Sequence, residues 1–359
     1  MFSSRVAGIV FVLLAAVQAV PAAAQSAVSG EALYQAYCLS CHGAIPSGGP
    51  DRAQNNPARI RAAISGAVLE MRILSFLTDA QLADIAAYVA QVLGGGPPPA
   101  AANYTALWWN PAENGWGFNV THQGSIVFGT LFTYDANRAP LWLVFSNGVL
   151  QPDGVTFTGD LHRTTGPAFN ANPFTPIGAA NYTRVGTMTV KFADANTATL
   201  DYTVNGVAVS KAIQRLVYGS RAADCTPTTA TRISSSNYQD LWWNAAESGW
   251  GVNVTHQDNT LFATLFTYDA TGRDLWLVMS GGVRQSDGSY LGTLYRPSGP
   301  AFDANPFTPI TESDLTPVGT MRFQFADGER GTLTYTVNGV SVTKAITRLV
   351  FASPVALCQ

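Results

Sequence analysis

Charged side chains are scarce in this 359-residue sequence, where Asp, Glu, Lys and Arg together make up 12%. That is about half the usual charged share. Only three of the 20 basic residues are lysines, and the formal net charge is −3. The sequence therefore offers no basic patch for phosphate backbones, which excludes a nucleic-acid partner. Because hydrophobic residues reach 47%, intrinsic disorder over most of the chain is excluded as well.

Cysteine is also scarce, and four residues are too few for a disulfide-dense scaffold. Their positions are therefore more informative than their number. Cys38 and Cys41 lie close together near the N-terminus, whereas Cys225 and Cys358 occupy equivalent places just after each of two repeats. Two remaining thiols in an oxidising compartment usually pair, so we predict a disulfide between Cys225 and Cys358.

Long hydrophobic runs are limited to one, at the N-terminus. Arg5 precedes an apolar run from Val6 to Val20, and Pro21 and three alanines follow up to Ala24. This layout predicts a secretory signal peptide over residues 1–24. A membrane anchor is the alternative, but the run is shorter than the ~20 residues that span a bilayer, so no transmembrane segment is expected in the mature chain. We expect a periplasmic protein, or alternatively a secreted or outer-surface one.

The first two cysteines belong to Cys38-Leu39-Ser40-Cys41-His42, which has the C-x-x-C-H spacing of c-type haem attachment. In that chemistry two thiols form thioethers to the haem, and the adjacent imidazole binds the iron. A redox dithiol would need a thioredoxin-like context, and a zinc site would need two more ligands, yet residues 43–94 contain neither Cys nor His. A tight structural disulfide between the two cysteines, or a chance occurrence of the pentapeptide, would also fit the spacing. We predict one covalently attached haem c, with His42 as proximal iron ligand.

Helical patterns surround this motif on both sides. Before it, apolar and small residues recur at helical spacing, at Gly30, Leu33, Tyr34, Tyr37 and Cys38. After it, the sequence Thr78-Asp79-Ala80-Gln81 is a capping box. The apolar face of the helix that follows consists of Leu82, Ile85, Ala86, Val89 and Leu93, and Gly94 to Gly96 end the helix.

In these features residues 28–95 resemble the class I cytochromes c. The resemblance implies a small all-α domain whose first helix crosses its last at a small and an aromatic residue, here Gly30 and Tyr34, with Tyr88 as the aromatic of the last helix.

The resemblance also implies a Met on the loop before the last helix as the sixth iron ligand. Met71 occupies that position, although Arg72 follows it where Pro is common in the family. Because two axial ligands leave the iron no open site, the resemblance implies one-electron transfer and a redox partner protein, rather than an enzyme.

The rest of the chain is an internal duplication. LWWNPAENGWGFNVTHQ at 107–123 returns as LWWNAAESGWGVNVTHQ at 241–257, and GPAFNANPFTPI at 166–177 returns as GPAFDANPFTPI at 299–310. Alternating hydrophobic residues and Asn-Gly pairs predict seven or eight antiparallel strands in each copy, joined by tight hairpins. Each copy is therefore expected to be an antiparallel barrel or sandwich, and the simple succession of strands favours a barrel. The copies resemble repeats of exported bacterial proteins of unassigned activity, which supplies no function.

The predicted organisation is multidomain, with an all-α cytochrome c domain followed by two homologous all-β domains. Its intervals are a signal peptide at 1–24, the cytochrome c domain at 25–94, a Gly/Pro/Ala linker at 95–102, the first β domain at 103–220, a linker at 221–236, the second β domain at 237–353 and a tail at 354–359.

Each β copy repeats a set of Trp, Glu and His side chains that forms a speculative site. Adjacent Trp residues on a strand point to opposite faces, so one of each pair could stack on a sugar or quinone ring, or dock a partner. The alternative is that both pack, one in the core and one under a loop or against the other copy. The His residues share a face with apolar side chains, where His is usually structural. The set comprises Trp109, Glu113 and His122, with Trp243, Glu247 and His256 as counterparts.

Three functions fit the sequence. The first is an exported monohaem cytochrome c that carries one electron, with the β tandem binding a partner or a surface. The second is a periplasmic haem-linked oxidoreductase whose β domains bind the substrate, which a clustered His-Glu-Asn site would favour. The third is a surface or glycan-binding protein with an accessory haem, which a flat row of exposed Trp would favour. The linker favours the first, because a tethered carrier domain can reach docking sites.

Overall fold

The computed structural model describes residues 27–42, 53, 56–67, 69–93, 103–151 and 153–359. The predicted signal peptide at 1–24 and the predicted linker at 95–102 lie outside the described residues. The chain divides into two units, Met1–Gly94 and Gly95–Gln359. Within the described residues, none of the helices has both the length and the apolar character needed to cross a membrane.

The first unit is helical in its described parts. Its helices are α1 (Ala27–Tyr37), α2 (Leu39–His42), α3 (Pro57–Ala62) and α4 (Asp79–Leu93), with a π-helical turn at Ala63–Ala67 and a 3-10 helix at Leu69–Leu74. The predicted capping box begins α4, since Thr78 N donates to Gln81 Oε1 (2.9 Å) and Gln81 N donates to Thr78 Oγ1 (3.3 Å). These bonds satisfy backbone groups that a helix start otherwise leaves without intrahelical partners.

Helices α1 and α4 cross at the small residue that the sequence predicts. A Cβ added to Gly30 would lie 1.9 Å from the Asp84 carbonyl oxygen, so the two backbones touch there. Beside the crossing, the rings of Tyr34 and Tyr88 pack with their centroids 5.5 Å apart. The core around this contact consists of Tyr34, Cys38, Ile60, Ile64, Leu74, Leu77, Leu82, Ile85, Ala86 and Val89.

The second unit contains two eight-stranded antiparallel barrels, which confirms the all-β prediction and decides for the barrel over the sandwich. The first barrel consists of β1 (Ala106–Trp109), β2 (Gly117–Gln123), β3 (Ile126–Tyr134), β4 (Pro140–Leu150), β5 (Thr156–Thr164), β6 (Tyr182–Phe192), β7 (Thr197–Val204) and β8 (Val207–Arg215). Sequential strands pair, and β1 pairs with β8 to close the barrel. Asn205 and Gly206, both with positive φ, form the tight turn between β7 and β8.

The second barrel repeats this arrangement. After a short strand β9 (Cys225–Thr228), its strands are β10 (Asp240–Trp243), β11 (Gly251–Gln257), β12 (Thr260–Tyr268), β13 (Asp274–Arg284), β14 (Tyr290–Pro297), β15 (Leu315–Phe325), β16 (Arg330–Val337) and β17 (Val340–Arg348). Asn338 and Gly339 have positive φ at the turn that corresponds to Asn205-Gly206.

The two barrels share one apolar core, and equivalent residues make reciprocal contacts across the seam between them. An indole N–H from each barrel donates to a backbone carbonyl of the other, and an amide from each donates to a threonine of the other. This reciprocity is the pattern of a symmetric dimer interface, here within one chain. The bonds are Trp142 Nε1 to Thr267 O (2.9 Å), Trp276 Nε1 to Thr133 O (2.9 Å), Asn119 Nδ2 to Thr264 Oγ1 (3.0 Å) and Asn253 Nδ2 to Thr130 Oγ1 (2.7 Å).

The repeated loops at 166–177 and 299–310 extend these reciprocal contacts. The Ile310 side chain covers Gly115 of the first barrel, where an added Cβ would lie 2.7 Å from it, and Ile177 covers Gly249 of the second at 2.8 Å. Both glycines have positive φ, so a side chain is unfavourable there for backbone reasons too. Each loop therefore docks on the barrel of the other copy.

The intervals predicted as a linker (221–236) and a tail (354–359) contain paired strands. The short strand β9 pairs antiparallel with β18 (Val355–Cys358), and Cys225 lies opposite Cys358 in the register. The two residues form a disulfide in the structure, with an S–S distance of 2.06 Å. This ribbon joins the junction between the copies to the C-terminus.

Replacing Gly30 with Ala should destabilise the first unit by about 3 kcal/mol, because a Cβ at the α1–α4 crossing forces two backbones apart. Thermal unfolding followed by the helical circular dichroism signal measures the change. Gly66→Ala is the matched control, since a Cβ there meets nothing within 4 Å. If both substitutions lowered the unfolding temperature by the same small amount, the α1–α4 contact at Gly30 would be contradicted.

Removing the Cys225–Cys358 link should destabilise the second unit by roughly 2 to 5 kcal/mol, because the link closes a long loop in the unfolded chain. Denaturant unfolding of the Cys225→Ser/Cys358→Ser variant measures this loss. Non-reducing peptide mass spectrometry checks the link itself, and finding both thiols unlinked in the exported protein would contradict it.

Candidate functional site

The C-x-x-C-H motif lies on a single helical turn. Cys41 N donates to Cys38 O (3.2 Å) and His42 N donates to the same carbonyl (2.9 Å). Residues three and four positions apart on a helix lie on the same face. Both thiol positions and the imidazole are therefore on one side of the turn, which suits attachment to a single flat macrocycle.

The environment of Cys38 argues against a redox-active dithiol. Cys38 is buried in the apolar core of the first unit, whereas Cys41 is exposed. Burial, followed by the proximity of Cys41, raises the pKa of the Cys38 thiol to about 11. Redox-active cysteines depend on a lowered thiol pKa, so Cys38 is unsuited to that role.

The residues around the motif fit a haem group. Met71 is partly buried against the same apolar core as Cys38, so the unit offers two thiols, an imidazole and a thioether. Large apolar side chains near the motif and the Met71 segment are exposed, with Phe76 59% and Ile73 78% accessible. The Phe76 and Tyr37 rings pack edge to face at 5.3 Å. These exposed apolar side chains offer a surface that an apolar macrocycle can cover. The thiols, the imidazole and the thioether are the groups by which cytochromes hold haem and its iron.

The predicted glutamates of the barrels lie at the seam in equivalent ion pairs. Glu113 Oε1 accepts from Lys211 Nζ (2.8 Å), and Glu113 Oε2 accepts from Trp116 Nε1 (3.0 Å). Lys211 Nζ also lies 5.7 Å from the ring centroid of Phe307, which belongs to the loop of the other copy. Glu247 has the equivalent partners Lys344 and Trp250, with Phe174 of the first copy beside the lysine. These carboxylates therefore stabilise the docking of the repeated loops.

The two lysines of these ion pairs are not among the residues predicted from the sequence. A usable signal is present, because two of only three lysines in the chain occupy equivalent positions, in KAIQRL and KAITRL. A charged residue that occurs at the same position in both copies of a charge-poor sequence indicates that its side chain pairs with another residue of the fold.

The predicted histidines are buried and fully hydrogen-bonded. His122 Nδ1 accepts from Tyr104 N (3.2 Å), and Nε2 donates to Gly124 O (3.0 Å). Burial lowers the pKa of His122 to about 4, against a weaker opposing effect of the Gly124 carbonyl. His256 makes the equivalent bonds to Tyr238 and Asp258, and burial lowers its pKa to about 4 as well.

The structure does not bring the six speculative residues into one site in either barrel. Glu113 lies just before the start of β2, whereas His122 lies near its end, which at ~3.3 Å per residue is the opposite end of the strand. The amides of Asn119 and Asn253 are engaged across the seam. The clustered His-Glu-Asn site that would favour an oxidoreductase is therefore not formed among the described residues.

The adjacent tryptophans of each copy pack inside the second unit. Trp108 and Trp242 are fully buried, and Trp109 and Trp243 are half-buried beside residues of the other copy. All eight tryptophans lie within the described residues, and each is buried or half-buried. The flat row of exposed Trp that would favour glycan binding is not formed.

Comparison with protein families gives a match for the first unit. Residues 25–89 match the family described as cytochrome C oxidase, cbb3-type, subunit III. The first unit is thus a cytochrome c domain of this type, followed by two eight-stranded β-barrels of unassigned function. Such a domain implies covalently bound haem c, haem-based electron transfer and a location outside the cytoplasm. No curated protein and no solved structure matches the chain.

The buried His122 should make stability depend on pH. Its folded pKa of about 4 lies below the unfolded value of 6.5, so protonation of the unfolded chain costs stability as pH falls from 6.5 to 4. The loss amounts to about 3 kcal/mol for this group. We expect His122→Asn, which keeps a hydrogen-bond acceptor but does not titrate, to be less stable than the wild type at pH 8. The difference should shrink toward pH 4 in denaturant unfolding, and a constant difference would contradict a neutral buried imidazole.

Proposed function

We propose that the protein is an exported monohaem cytochrome c that carries one electron to or from a partner protein, with the paired barrels binding that partner or a surface. The observation that carries the proposal is the helical turn that presents Cys38, Cys41 and His42 on one face, with Cys38 in the apolar core. The predicted leader at 1–24 supports export to the periplasm.

Four residues of the first unit have defined parts in this function. Cys38 and Cys41 would hold the haem covalently, and His42 would bind the iron. Met71 is the proposed second iron ligand, because a soft thioether favours the reduced metal. The bound haem supplies a one-electron redox centre. The apolar side chains around the motif exclude water from it, and together with the axial ligands they set the reduction potential.

The barrels are proposed as a rigid docking module. Reciprocal hydrogen bonds, a shared core and the β9–β18 ribbon hold the two copies in one arrangement. A rigid surface loses little conformational freedom on binding, which suits a module that positions a carrier domain near its partner.

The Met71→Ala variant tests the proposed iron ligation. In the wild type, the absorption spectrum of the ferrous protein should not change with carbon monoxide, because both axial sites are filled. Met71→Ala opens one site, so carbon monoxide should shift its spectrum. Met188→Leu, at a buried methionine of the first barrel, is the control and should behave as the wild type.

Two further outcomes bear on the function itself. Haem should stay on the wild-type polypeptide under denaturing conditions and be lost from Cys38→Ser/Cys41→Ser. A wild-type spectrum that shifts with carbon monoxide would contradict Met71 as ligand and favour ligand sensing or catalysis over electron transfer.

A further inference from the structure

A large cavity lies at the seam between the two barrels, and we name it the Trp109 cavity. Its volume is about 500 Å³. Such a volume is within the range of pockets that bind small organic ligands. Both copies contribute to its walls, which are mainly aromatic and aliphatic. Its principal lining residues are Trp109, Trp116, Phe132, Phe262, Trp276 and Leu315.

Trp109 contributes to the wall of this cavity, and its indole N–H is buried without an acceptor among the described residues. Six of the other seven tryptophans donate to a named oxygen, so the fold otherwise supplies acceptors for its indoles. These six are Trp108, Trp116, Trp142, Trp242, Trp250 and Trp276. A buried donor without a partner is costly, so the fold is not optimised for stability at this wall of the cavity.

The equivalent cavity on the other side of the seam is much smaller. It lies beside Trp243, has a volume of about 190 Å³, and is lined by Tyr182 at the place that Leu315 takes in the Trp109 cavity. Thr164 likewise stands where the larger cavity has Pro297. The copies have therefore diverged at the walls of these cavities, and only one of the two has the volume of a ligand site.

The charge of the walls restricts the ligand further. Glu312 is the single ionisable residue among those lining the Trp109 cavity, and it is exposed at the surface. An anion would find no positive group in these walls, and burying an unpaired charge is unfavourable. The aromatic walls instead favour a flat ring system that can pack against indole and phenyl faces.

We propose that the Trp109 cavity binds a neutral, flat aromatic molecule. The volume, the apolar walls and the divergence of the copies all support this class of ligand. The site lies wholly in the second unit, so it does not depend on the proposed haem function.

Equilibrium dialysis of the haem-loaded full-length mature protein against 6-propionyl-2-(dimethylamino)naphthalene tests the proposal. This probe is neutral, flat and aromatic. We expect saturable binding of one equivalent. Leu315→Tyr places the residue of the small cavity in the large one and should weaken binding at least about tenfold. Trp109→Phe replaces the indole of the cavity wall with a smaller ring and should weaken binding about three- to tenfold through lost ring contact.

Leu291→Tyr is the matched control, because Leu291 is exposed on β14 and does not line the cavity. It should bind the probe as the wild type does. Circular dichroism and thermal unfolding establish whether each variant folds. If Leu315→Tyr does not fold, Trp109→Phe alone tests the proposal. Absence of probe binding, or binding that Leu315→Tyr and Trp109→Phe leave unchanged, would overturn the proposal.

Discussion

The apolar seam between the two barrels is the interaction on which the second unit depends. Each barrel closes its own strand ladder, yet the indole donors of Trp142 and Trp276 find their acceptors only in the other copy. A single copy would expose a large apolar face to water, which is unfavourable, and would lose the hydrogen bonds across the seam. Because the copies are joined in one chain, each has a high effective concentration relative to the other. The dimer-like interface therefore forms at any protein concentration.

Local patterns in the sequence are sufficient to predict the elements, but not how the copies meet. Period-two alternation and the Asn-Gly turns predict the strands and hairpins, because both follow from backbone geometry within a few residues. The seam depends on pairs such as Lys211 and Phe307, which lie far apart in the chain and belong to no local period. The loop at 166–177 is visible in the sequence as a repeat, but its docking partner is not.

The haem unit illustrates the opposite case, in which the chemistry is local. In c-type haem attachment, two thioether bonds and one iron bond require two thiols and an imidazole within a single helical turn, so the five residues from Cys38 to His42 are enough to predict the attachment. The helix crossing at Gly30 can be predicted for a similar reason, because only glycine lets two backbones touch. The proposed ligand Met71 lies in a 3-10 helix that no periodic pattern in the sequence predicts, so its assignment rests on the family resemblance.

Divergence between the two copies separates what the fold requires from what it only permits. Residues that the seam requires are kept in both copies, as with Glu113 and Glu247 and their lysines. Positions that differ between the copies are not subject to this requirement. Tyr182 lines the cavity of about 190 Å³, whereas its equivalent Leu315 lines the cavity of about 500 Å³. Empty apolar volume beside an unpaired indole weakens a fold rather than stabilising it. A locally unfavourable feature present in one copy alone is therefore better explained by ligand binding than by folding.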